Sequence, residues 1–99
     1  MAVSALSGQQ IQASVADLAD WEIVGSALHR ELRFADFSEA WAFLSRVALL
    51  AERMNHHPEW NNVYNRVSLK LTTHEADGLS ELDFTMARAI DRFLAEDEV

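Results

Sequence analysis

The chain has no cysteine, so disulfides, thiolate zinc sites and thiol nucleophiles are excluded together, and a reducing compartment fits without being required. It is short of basic residues: eight Lys and Arg stand against sixteen Asp and Glu, a formal net charge of −8. With no local basic patch to override that field, a phosphate-backbone ligand is not expected, and nucleic acid is excluded as a main partner. No apolar run approaches the ~20 residues that span a bilayer, so no membrane association is expected. The opening Met1-Ala2-Val3-Ser4-Ala5-Leu6 lacks the basic start and apolar stretch of a secretory signal, and a cytoplasmic protein is expected.

What is present is ordinary globular material. The 99 residues are 49% hydrophobic and 24% charged, which suits one domain with one core and rules out disorder and fibrous repeats. No internal repeat, low-complexity segment or linker divides them. The acidic end Glu96-Asp97-Glu98 is expected to fray.

Local signals set out the elements. Ser7 with Gln10 three residues on forms a capping box, and Leu6 and Ile11 are placed as its hydrophobic staple. Ile11, Val15 and Leu18 then carry a short amphipathic helix to about Ala19. Trp21-Glu22-Ile23-Val24, the pair Gly25-Ser26 and the alternating residues 28–34 predict two strands joined by a tight turn. Asp36 caps the strongest helix, Phe37–Met54, with Glu39 at its third position.

That helix carries two apolar stripes. Phe37, Trp41, Leu44, Ala48 and Ala51 form one; Phe43, Val47, Leu50 and Met54 form the other. Pro58 is expected to stop it. Residues 60–64 and the alternation of Val67, Leu69 and Leu71 with polar neighbours predict a second strand pair, turning at Asn65-Arg66. After a loop through Glu75-Ala76-Asp77-Gly78, Ser80 and Asp83 make another capping box, stapled by Leu79 and Phe84. Leu82, Ala87, Ile90 and Leu94 are the expected buried stripe of the last helix. The expected fold class is therefore α+β: a four-stranded antiparallel sheet with three helices on one face, in the order α-β-β-α-β-β-α.

Three of the four histidines, His56, His57 and His74, flank the second strand pair. A hairpin brings the segment before Pro58 beside the segment after Thr73, so a shared pocket is geometrically cheap. Spacing alone also allows a plain helix end and a polar turn. A zinc site would use three histidines too, but adjacent histidines rarely point at one metal, and no His-x-x-x-His pair lies on a helix. Thr72-Thr73-His74 lacks the glycine-rich elbow of an activated hydroxyl nucleophile. General acid and base chemistry remains, because imidazole both donates and accepts protons near neutral pH, and a well-placed group contributes ~10² to 10⁴ in rate. His29, among Arg30, Glu31 and Arg33, reads as a surface residue.

The run Asn55-His56-His57-Pro58-Glu59-Trp60-Asn61-Asn62-Val63-Tyr64-Asn65-Arg66-Val67 is followed by Leu71-Thr72-Thr73-His74-Glu75-Ala76-Asp77-Gly78-Leu79-Ser80. Glu52 stands before it and Asp83 after it. This pattern resembles the pterin-4a-carbinolamine dehydratase family, weakly before Trp21 and strongly from Phe37 to about Leu94.

The resemblance implies dehydration of 4a-hydroxytetrahydropterin to quinonoid dihydropterin and water, with neither metal nor organic cofactor. That step recycles the pterin used by aromatic amino acid hydroxylases, so a functional link to such a hydroxylase is implied too. By resemblance His56 and His74 protonate the departing C4a hydroxyl, one for each stereochemical face, and His57 binds the pterin and assists loss of the N5 proton. Pro58, Trp60, Thr73, Glu75 and Asp83 are the expected substrate-binding residues. Trp60 has an alternative as sheet packing, and Asp83 as a helix cap that orients a histidine. Glu52 is expected to be a solvated carboxylate.

A homodimer or homotetramer is expected, since the second stripe of the Phe37–Met54 helix would otherwise lie in water. The alternative function is partner binding: proteins resembling this family also steady the dimerisation helices of a transcription factor, with this helix as the contact surface.

Overall fold

A computed structural model of the chain describes residues 3–96. The elements, in chain order, are α1 (Gly8–Val15), β1 (Glu22–Val24), β2 (Ala27–Arg33), α2 (Phe37–Met54), β3 (Glu59–Val63), β4 (Arg66–Leu71) and α3 (Glu81–Glu96). A short 3-10 turn, His74–Ala76, lies between β4 and α3. The strands form one antiparallel sheet in the order β1-β2-β4-β3. The expected α+β fold is therefore observed. Asp97 and Glu98 of the acidic end lie outside the described residues.

The strand register separates the two faces of the sheet. Leu28 pairs with Leu71, Arg30 with Leu69 and Leu32 with Val67, while Trp60 pairs with Leu69 across β3. Side chains of directly paired residues share a face, and Leu28, Val67, Leu69 and Leu71 are fully buried. Against them lie Phe43, Leu44, Val47 and Leu50 of α2 and Phe84, Met86, Ala87 and Ile90 of α3. The opposite face is polar: Glu22, His29, Lys70 and Glu59 run across it in one row, Glu31, Ser68 and Asn61 in the next. Arg30 points to the helix side, where it meets Asp91 of α3 at 2.5 Å, and the Trp21 indole N–H donates to the same carboxylate at 2.8 Å.

The Ser7–Gln10 capping box forms in both directions. The helix it starts is shorter than the spacing predicts, ending at Val15 rather than near Ala19. Asp17 and Asp20 follow there, and acidic residues oppose the negative end of the helix dipole. Leu18 nevertheless reaches the core, from a turn in which its N–H donates to the Val15 carbonyl.

Helix α2 ends at Met54 as the spacing predicts, but the residue that ends it is corrected, as are the β3–β4 turn and the inward stripes of α3 and α2. What stops α2 is Asn55, which takes a left-handed conformation with φ of 52°, three residues before Pro58. The His56 N–H then returns to the Ala51 carbonyl, the closure that a left-handed Asn permits. The β3–β4 turn is Tyr64-Asn65 rather than Asn65-Arg66, because Val63 pairs with Arg66. The Asn62 amide holds that turn by donating to the Tyr64 and Arg66 carbonyls, and the Asn65 amide donates to Phe34. On α3 the inward residues are Asp83, Phe84, Met86, Ala87, Ala89 and Ile90, with Leu82 and Leu94 only half-buried. The second stripe of α2 is not left for water: Phe43, Val47 and Leu50 lie in the chain's own core, and it is the first stripe that divides, with Leu44 and Ala51 buried and Phe37 and Trp41 46% and 55% exposed and stacked on each other.

Candidate active site

The left-handed Asn55 turns the chain sharply out of α2, so His56, His57 and Pro58 form the short link to β3. Glu59 at the start of β3 pairs with Lys70 near the end of β4. The same end of the sheet therefore carries residues 56–58 on one chain segment and 72–74 on the next. Beyond β4, Thr73 and Gly78 form an isolated bridge that closes the loop holding His74. Asp77 makes that closure possible by adopting a left-handed φ of 55°.

At the centre is a buried polar network. His56 Nε2 lies 2.7 Å from Asp83 Oδ1, the Thr73 hydroxyl donates to Asp83 Oδ2 at 2.7 Å, and the Ser80 N–H donates to the same oxygen at 2.9 Å. Thr73 Oγ1 and Ser80 Oγ are 2.7 Å apart. Asp83, Thr73 and Ser80 have no solvent exposure and His56 only 7%. Burial of so polar a group is tolerated because every acceptor of the carboxylate side is met by a donor. Ser80 caps α3 at the Leu82 N–H, one residue short of a full capping box, while Asp83 returns to the Ser80 N–H.

Around this network are exposed groups. His57 is exposed and its Nε2 sits 2.5 Å from Glu52 Oε1, so Glu52, exposed to solvent as expected, also pairs with a histidine. His74 and Glu75 are exposed on the 3-10 turn, and Pro58 is half-buried. Trp60 stands on the edge strand β3, 40% exposed, and with His29, Glu59 and Lys70 it borders a hollow of about 200 Å³. His29 is on the polar face opposite Lys70, apart from the other three histidines.

The structure thus brings His56, Thr73 and Asp83 into direct contact, and Thr73 carries His74 on the next residue. Thr73 and Asp83, both expected at the substrate site, are fully buried with their side-chain oxygens engaged, and Asp83 contacts His56, the geometry of its alternative reading as a cap that orients a histidine. Ser80, absent from the expected set, completes the network; its sequence signals were its cap position and its place at the end of the family-like run. Among the described residues no group of three or more His, Asp or Glu side chains is placed to hold a metal ion. No helix of the described residues is long and apolar enough to cross a membrane.

Known proteins resemble the chain in both sequence and fold. Residues 4–93 match the family model for pterin 4 alpha carbinolamine dehydratase. A protein of Novosphingobium aromaticivorans named for pterin-4-alpha-carbinolamine dehydratase is 54% identical, over 95% of this chain and all (100%) of its own. One from a Synechococcus strain with the same name is 60% identical, over 75% of this chain and 80% of its own. The crystal structure of a transcriptional coactivator/pterin dehydratase from Brucella melitensis superposes with a TM-score of 0.87 at 40% identity, covering 90% of this chain and 97% of that one. By sequence and by fold, the chain belongs to the pterin 4 alpha carbinolamine dehydratase family, a family of hydro-lyases.

Proposed function

We propose that the protein dehydrates 4a-hydroxytetrahydropterin to quinonoid dihydropterin and water by histidine general acid and base catalysis. The observation that carries this reading is the Asp83–His56 pair at 2.7 Å, buried beside the loop that presents His74. In the reaction the C4a–O bond breaks as an acid delivers a proton to the hydroxyl, which leaves as water. The N5 lone pair becomes the new N5–C4a double bond, and a base takes the N5 proton. One proton is donated and one recovered, so the histidines need no other reagent.

His56 and His74 are assigned the acid role, one for each face of the ring, and His57 pterin binding and help with N5 deprotonation. The Glu52 carboxylate orients His57. Pro58, Trp60 and Glu75 are the groups left accessible to line the pterin, and Trp60 offers a flat face to a flat heteroaromatic ring. The same reading places the protein in the cytoplasm as a single domain, where it recycles the pterin of an aromatic amino acid hydroxylase.

Phe37 and Trp41 support self-association into a dimer or tetramer through α2, since two stacked aromatics half in water are unusual on a monomer. The name of the Brucella structure favours a second reading, in which that surface serves a coactivator role.

Binding of a dihydropterin that lacks the 4a hydroxyl tests the site without turnover. Histidine NMR signals of His56, His57 and His74 should move on titration while that of His29 stays. Movement confined to His29 would place the pterin on the opposite face and refute the site.

A further inference from the structure

Hydrogen directions in the buried network follow from simple counting. Thr73 has one hydroxyl proton and gives it to Asp83 Oδ2. The 2.7 Å contact between the two hydroxyls must then be a donation from Ser80 to Thr73. Ser80 Oγ in turn accepts from the Leu82 N–H at the start of α3. Polarity therefore runs one way, from the helix N-terminus through Ser80 and Thr73 to the carboxylate. Asp83 Oδ2 already receives two donors, Thr73 Oγ1 and Ser80 N, and an ionised carboxylate is acceptor-only. With Asp83 as a carboxylate, the remaining oxygen Oδ1 accepts as well, which assigns the proton of the 2.7 Å contact to His56 Nε2.

His56 Nδ1 has no hydrogen-bond partner within the described residues, and it is not among the unpartnered side-chain atoms sealed from solvent, of which Arg30 Nε is the one found.

We propose that Ser80 and Thr73 are positioning residues that, through Asp83, hold neutral His56 in the Nε2–H tautomer and reserve Nδ1 for the ligand. Nδ1 is then a base when the ring is neutral and an acid when it is protonated. A reversed relay would let Asp83 share its acceptor oxygens differently and release the ring from its orientation. The tautomer is a property of the free protein; the consequence for turnover rests on the dehydratase reading above.

The test uses the full chain, ¹⁵N-labelled and without ligand. Imidazole nitrogen correlations recorded across a pH titration report which nitrogen of His56 is protonated in the neutral ring. The wild type is expected to show Nε2–H; an Nδ1–H tautomer would overturn the proposal without any variant being made. Thr73→Val keeps the shape and removes the hydroxyl, and it should displace the His56 nitrogen signals, with Thr73→Ser restoring them. Ser80→Ala serves the same purpose if Thr73→Val does not fold. Unchanged His56 signals in a folded Thr73→Val or Ser80→Ala protein contradict the relay.

With 4a-hydroxytetrahydropterin as substrate, Thr73→Val should lower kcat roughly 10- to 100-fold while KM stays within about twofold, and Thr73→Ser should recover most of it. A shifted tautomer with unchanged kcat would overturn the role in turnover. A wild type that shows the Nε2–H tautomer but no dehydration would instead refute the dehydratase reading and leave the network assignment standing.

Discussion

Replacing Asp83 with alanine should be among the most damaging single changes to stability. The carboxylate meets three donors, His56 Nε2, the Thr73 hydroxyl and the Ser80 N–H, and all three groups lie in residues that are buried. Asp83→Ala deletes the common acceptor and leaves each donor without its partner, at about 1–3 kcal/mol for each orphaned group. The space left by the carboxylate is polar and admits a water, which brings the sum toward the lower end. A loss of about 3–5 kcal/mol is expected, the range seen when one partner of a buried pair is removed. For a domain holding roughly 5–15 kcal/mol in all, that is a large fraction. Asp83→Asn keeps the volume but turns one acceptor into a donor facing other donors, and should lose about 1–3 kcal/mol. Urea unfolding, followed by circular dichroism and compared at constant m, measures both. A loss below about 1 kcal/mol in Asp83→Ala would refute the claim that the network is dry and fully engaged.

Two further outcomes follow from other parts of the fold. Trp41→Lys on the exposed side of α2 should leave helicity intact and shift the mass measured by sedimentation from a multiple of 11.2 kDa to the monomer; an unchanged mass would remove α2 as the contact surface. Tyr64 holds a left-handed φ of 51° with its ring 62% exposed, so Tyr64→Gly should raise stability by about 0.5–1 kcal/mol in the same urea assay, and a loss would show that the ring is packed against something.

Much of this architecture was legible in the sequence because its causes are local. Ser7 with Gln10 and Asp36 with Glu39 act within one helical turn, and the period-two alternation of Val67, Leu69 and Leu71 needs only one buried sheet face. Where expectation and structure differ, local signals competed. Pro58 is the more conspicuous helix breaker, yet Asn55 acts first, since a left-handed Asn lets the His56 N–H close on Ala51. Asn65-Arg66 is the more turn-like pair, yet the Val63–Arg66 register places Tyr64 in the turn.

Which candidate-site residues touch one another was not legible in the sequence. The capping-box pattern gave Ser80 and Asp83 a sufficient local explanation at a helix start. What makes Asp83 central is its contact with His56, 27 positions away, and with Thr73, 10 away, which no local pattern encodes. Thr73 and Asp83 were consequently grouped with the substrate-binding residues, whereas both are buried and Asp83 is in contact with His56.

The most direct measurement follows the loss of 4a-hydroxytetrahydropterin by stopped-flow absorbance with wild-type protein, with buffer alone and with a folded His74→Ala variant. Wild type should accelerate the loss well beyond buffer, and His74→Ala should remove about 10² or more of that acceleration. Loss no faster than in buffer with well-folded wild type, or wild-type turnover in His74→Ala, would contradict histidine-dependent dehydration at this site.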